Sequence, residues 1–165
     1  MKKSFLIFLL VFCFVFASCD PGSFYFSTDY LNNVVSIELI DYTNTEQKSF
    51  SSWAHNHFNK LKPFNLENST TIETLETDKI ENFNLYLTEQ VLYYRFYTYN
   101  SPKGLCLKLN FANGDFIIIS DVNKKGYNGY VGRYSSTGKV LDYYGCFCSE
   151  DSFVNLVNNY FNTQV

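Results

Sequence analysis

Arginine is nearly missing from this chain: Arg95 and Arg133 are the only two, and 13 basic side chains stand against 16 acidic ones. With no clustered basic surface to neutralise a run of phosphates, the composition argues against a nucleic-acid partner and against electrostatic docking on anionic lipid. Histidine is as scarce, limited to His55 and His57. A serine or cysteine nucleophile needs a base held by an orienting group, so any such site would have to draw on that one short stretch. No HExxH, phosphate-binding glycine loop or nucleophile-elbow glycine pattern is present. The cysteines show no CxxC zinc knuckle. The longest apolar run, Phe5 to Ala17, falls short of the roughly 20 residues that a membrane-spanning helix needs.

That run is informative for another reason. It follows Met1-Lys2-Lys3 and ends on Phe16-Ala17-Ser18-Cys19. A basic start, a short apolar stretch and small residues before a cleavage point describe a secretory signal. The residues before Cys19 resemble the lipobox of bacterial lipoproteins, in which one apolar and two small residues precede the cysteine. Phe16 departs from the leucine usual at the first of these positions. The resemblance covers residues 1–19. It implies cleavage between Ser18 and Cys19, lipid such as palmitate on the Cys19 sulfur, and acylation of the new amino terminus. Two or more acyl chains hold a protein stably on a bilayer, where one binds only reversibly. The expected localisation is therefore the cell membrane or outer envelope, on the outside of the cytoplasm.

Loss of residues 1–18 leaves 147 residues, with 11 basic against 16 acidic groups after Lys2 and Lys3 depart, a charge of −5. That length suits one domain. Residues 19–32 form a lipidated cysteine and a short tether, and residues 33–165 form one globular domain. Phe24, Tyr25 and Phe26 within the tether suggest that part of it packs.

Val34 to Tyr42 is β-branched and alternating, and reads as a strand. Ser49 to Lys62 carries Phe50, Trp53, Ala54, His57, Phe58 and Leu61 at helical spacing before Pro63. Thr70 to Glu76 alternates as a strand. Asp78 with Glu81 makes a capping-box-like start for a helix whose stripe is Ile80, Phe83 and Leu87, with Asn84 off it. From Val91 the period becomes two. "VLYYRFYTYN" is a strand, and "GLCLKLNFANGDFIIIS" a hairpin with a two-residue turn at Asn113-Gly114. That turn sets Phe111 opposite Phe116 and Leu109 opposite Ile118. It places Leu107, Leu109, Phe116 and Ile118 on one face, and Cys106, Lys108, Asn110, Ile117 and Ile119 on the other. A second hairpin turns at Ser136 to Gly138. The chain closes as a helix with Phe153, Leu156, Val157, Tyr160 and Phe161 on one side. Consecutive hairpins and segregated helices give an α+β fold: an antiparallel sheet of about five to seven strands with helices packed against it. Both hairpin faces are partly apolar. Either helices cover one and the sheet curls over the other, or the second face binds something.

Candidate chemistry is thin. Asp121, Asn123 and Gly126 match an EF-hand, but Lys125 and Gly132 stand where ligand oxygens belong. His55 and His57 point apart on a helix, and Cys146 and Cys148 lie two apart. No metal or other cofactor is expected. Cys106 pairing with Cys146 or Cys148, and buried thiols acting as small hydrophobes, stand as alternatives. In "LYYRFYTY", Tyr93, Arg95, Tyr97 and Tyr99 share a strand face suited to stacking on a glycan or taking a peptide. The competing explanation is β-propensity in an aromatic-rich composition. The reading is a binding module at the envelope, for a protein or glycan, and not an enzyme. The alternative is a small hydrolase using carboxylates or Cys148 with a helix histidine.

Overall fold

The computed structural model describes residues 23–43, 63–90, 92–93, 102, 104–120, 129–146 and 150–163. The predicted helix over 49–62, the strand beyond Tyr93 and the loop over 121–128 lie outside them. The described chain is sheet-dominated α+β. Its strands are β1 (Ser23–Phe24), β2 (Val34–Tyr42), β3 (Ser69–Thr74), β4 (Leu92–Tyr93), β5 (Gly104–Phe111), β6 (Phe116–Ser120), β7 (Gly129–Tyr134) and β8 (Val140–Cys146). The helices are α1 (Thr28–Leu31), α2 (Ile80–Thr88) and α3 (Glu150–Tyr160). The strands form one sheet in the order β1-β4-β8-β7-β6-β5-β2-β3, antiparallel at every pairing. Six are five residues or longer; β1 and β4 add two-residue strands at one edge, beyond the expected five to seven. No described helix is long and apolar enough to cross a membrane.

The first hairpin differs from its prediction by one residue. Leu109 lies opposite Ile117 and Asn110 opposite Phe116. Phe111 N donates to the Asp115 carbonyl and Gly114 N to the Phe111 carbonyl. The loop is therefore Ala112-Asn113-Gly114, a three-residue turn closed by Gly114 at φ 87°, in place of the two-residue turn at Asn113-Gly114. Because side chains alternate, a one-residue slip moves a whole strand to the other face. Ile117 and Ile119 join Leu107 and Leu109, and Phe116 and Ile118 join Cys106. The second hairpin repeats this loop: Ser135 N donates to the Lys139 carbonyl, Gly138 N to the Ser135 carbonyl, and Gly138 has φ 78°.

The regrouped faces make two cores. On the first, Ile37, Leu39, Leu107, Leu109, Ile117, Ile119 and Val131 pack under the helices. From α2 come Ile80, Phe83 and Leu87, and from α3 come Phe153, Leu156 and Val157, with Phe161 just beyond it. Phe26 and Leu31, from the stretch read as tether, are buried here too. On the second face Ile40, Tyr42, Cys106, Phe116, Ile118 and Tyr134 cluster around Phe64. Its ring lies 4.3 Å from Tyr42 and 5.5 Å from both Phe116 and Tyr134.

Two local predictions need correction. The start of α2 has no capping box: a 3₁₀ turn over Thr77–Lys79 leads into it, and no side-chain hydrogen bond caps either element. Asn84 is buried, not off the apolar stripe, and its Nδ2 donates to the Leu31 carbonyl at 3.0 Å, tying α2 to the end of α1.

Candidate binding surface

The sequence-derived candidates fall mostly outside the described residues. Cys19, Arg95, Tyr97, Tyr99, His55, His57 and Cys148 all do. Tyr93 is placed on β4, opposite Ser23 of β1, so the proposed aromatic face has one described member. Cys106 and Cys146 sit on β5 and β8, with β6 and β7 between them. Cys106 is fully buried, and its Sγ donates to the Gly104 carbonyl at 3.4 Å.

The register assembles a group of side chains that sequence reading did not single out together. On the second face, Ser36 lies opposite Asn110 and Glu38 opposite Lys108 across the β2–β5 pair. Lys108 Nζ approaches Glu38 Oε2 at 3.4 Å, with side-chain exposures of 17% and 22%. Asn110 Nδ2 donates to Glu38 Oε1 at 3.0 Å and to Ser36 Oγ at 3.0 Å. Thr71 on β3 donates its hydroxyl to Glu38 Oε2 at 3.5 Å. Lys108 Nζ also sits 5.4 Å from the centre of the Phe116 ring. A half-buried carboxylate with three donors, one of them a lysine, forms a polar strip across three strands at the border of an aromatic core. Such a strip offers fixed donors and acceptors to a ligand without first having to be ordered.

Two other polar groups are structural. Asp115, which closes the first hairpin loop, accepts from Arg133 Nη2 at 2.9 Å, and the guanidinium lies 5.7 Å from the centre of the Tyr30 ring. Burial pushes the Tyr30 hydroxyl up from its ordinary pKa; Arg133 opposes that, and Asp115 and Asp142 add to it. This arrangement pins α1 to the first hairpin. Glu73 on β3 accepts from the Asn162 and Thr163 amides and from both side chains at 2.8–3.2 Å. These donors, led by the Asn162 amide, hold its carboxyl below the usual glutamate range despite some desolvation. Glu73 thereby ties the chain after α3 to the edge of the sheet.

Among the described residues no three His, Cys, Asp or Glu side chains converge in a way that could hold a metal ion. No protein-family model matches the chain, and neither the curated proteins nor the solved structures provide a match.

Proposed function

We propose that this chain is a lipid-anchored, extracytoplasmic binding module that meets a protein or glycan of the cell envelope. Anchorage rests on the lipobox resemblance ending at Cys19. The observation that carries the binding reading is the strip of Ser36, Glu38, Thr71, Lys108 and Asn110, whose polar atoms are fixed on a sheet face with part of their surface still open. In this reading the sheet curls toward that face. Tyr42 and Phe116 would lie about 20 Å apart in a flat sheet at the observed register, yet one ring, Phe64, touches both. Phe64 N also donates to the Gly138 carbonyl, and Asn65 N to the Tyr42 hydroxyl. These bonds draw the end of β2 toward the second hairpin turn. Aromatic rings fill part of the concave face, and the polar strip borders them beside β3.

Glu38→Gln tests the strip. The substitution keeps the shape and removes the charge that Lys108, Asn110 and Thr71 converge on. A partly exposed ion pair contributes about 1 kcal/mol or less, so the melting temperature should fall by no more than about 4 °C. Capture of envelope components by the full-length protein should fall at least fivefold. Equal capture by wild type and variant would remove the strip from the binding account.

A further inference from the structure

We infer that the outer edge of β3 accepts an extended, lysine- or arginine-bearing segment of a partner protein by strand addition. This deepens the binding-module reading and rests on it. β3 ends the strand order, and among the described residues only β2 pairs with it. Thr43 N donates to the Asn68 carbonyl, and Leu75 N to the Ile37 carbonyl. Antiparallel ladders alternate bonded and non-bonded positions. Counting inward from those two bonds through the register turns the main-chain groups of Thr70 and Glu73 toward β2. The amides and carbonyls of Ser69, Thr71 and Thr74 are left pointing away from the sheet.

The side chains of Thr70, Thr71, Ile72 and Thr74 are exposed. The strand, Ser-Thr-Thr-Ile-Glu-Thr, contains none of the lysine or proline with which sheets blunt their edges. The ladder does carry a register shift, with Ile72 as the extra residue between Thr71 and Glu73. A bulge both shortens a pairing edge and re-aims a side chain. Here Ile72 is 45% exposed, an apolar contact point on the edge.

Charge selects the occupant. From Asn65 to Lys79 the chain carries Glu67, Glu73, Glu76 and Asp78 against Lys79 alone; Lys79 is bridged to Glu76 at 2.8 Å, and Glu73 is held by the neutral donors of Asn162 and Thr163, so the stretch keeps its negative balance. A second copy of the chain would bring this net-negative stretch against another like it, which like-charge repulsion disfavours. A basic segment meets opposite charges instead. Position agrees with the anchor. Cys19 lies four residues before Ser23, a reach of about 14 Å from β1. β3 stands at the opposite end of the strand order from β1, so the anchor attaches next to the other edge of the sheet.

The test uses the full-length protein in detergent micelles and short peptides alternating valine or threonine with lysine. Matched peptides carry glutamate in place of lysine, or a central proline. Amide exchange by NMR and titration affinity are the readouts. The lysine peptide should bind at least tenfold more tightly than either control and slow exchange at Ser69, Thr71 and Thr74. Ile72→Lys, a surface change that leaves the core untouched, should weaken it at least fivefold. Equal affinity for the glutamate peptide, protection mapping away from β3, or a dimer paired through β3 would each overturn the proposal. A partner captured from envelope extracts through the Glu38 strip with no change at β3 would overturn this inference and leave the binding-module reading standing.

Discussion

Gly138→Ala should be among the most damaging single-methyl additions to this protein, costing about 3 kcal/mol or more. Two effects add. Gly138 has φ 78°, a left-handed conformation that costs a residue with a Cβ roughly 1–2 kcal/mol. A Cβ there would also lie 2.1 Å from the Phe64 carbonyl oxygen, so the backbone contact must open. With it goes the bond from Phe64 N to the Gly138 carbonyl at 2.8 Å, worth about 1 kcal/mol, and Phe64 loosens within the second core. Gly114→Ala is the internal control. Its φ is 87°, but its Cβ would meet only the Ser136 Cβ at 3.3 Å. It should bear the conformational cost alone. Thermal unfolding should show a fall of roughly 10 °C for Gly138→Ala and about a third of that for Gly114→Ala, at about 2–4 °C per kcal/mol for a chain of this size. Equal shifts would mean that the Phe64 contact does not hold the second hairpin.

The second large effect belongs to α2. Phe83 has no exposed surface and packs edge-on against Tyr160 at 5.1 Å. Phe83→Ala should cost about 3–5 kcal/mol through lost transfer energy and the cavity left behind. Two residues on, Leu85 is 57% exposed, and Leu85→Ala should change stability by about 0.5 kcal/mol or less. The contrast reads out which side of the helix faces the sheet. Comparable losses from both substitutions would place α2 in a different orientation.

Much of the fold is legible where one pattern admits one reading. Val34 to Tyr42 is β-branched and alternating, and β2 covers the same residues. The apolar side of α3 is visible in the spacing of Phe153, Leu156, Val157 and Phe161, all of them buried. The first hairpin is different. An Asn-Gly pair suits a two-residue turn and also the end of a three-residue one; the choice depends on whether Ala112 enters the loop. Hydrophobicity could not settle it, because Phe116 to Ile119 are apolar at every position and all are buried. Either register puts apolar groups on both faces.

The candidate surface was less legible, for a different reason. Lys108 and Asn110 lie 70 and 72 residues from Glu38 in sequence, and only the β2–β5 register brings them together. Each looks alone like an ordinary polar residue on the alternating side of a strand. Asn84 carried no signal either: an asparagine in a helical stretch reads as solvent-facing until α1 supplies the Leu31 carbonyl. The proposed lipid site, Cys19, rests by contrast on local sequence alone, through the resemblance of residues 1–19 to a lipobox signal, a pattern that needs no tertiary contact to be read.

The claim on which the cellular account turns is anchorage through that one sulfur. The decisive measurement is detergent phase partitioning of the full-length wild type and of Cys19→Ala, each expressed in bacteria fed labelled palmitate. Each buried methylene of an acyl chain contributes about 0.8 kcal/mol to membrane attachment, so loss of the chains should act as a switch. The account predicts labelled wild type in the detergent phase and unlabelled Cys19→Ala in the aqueous phase. Identical partitioning of the two, with or without label, would contradict it.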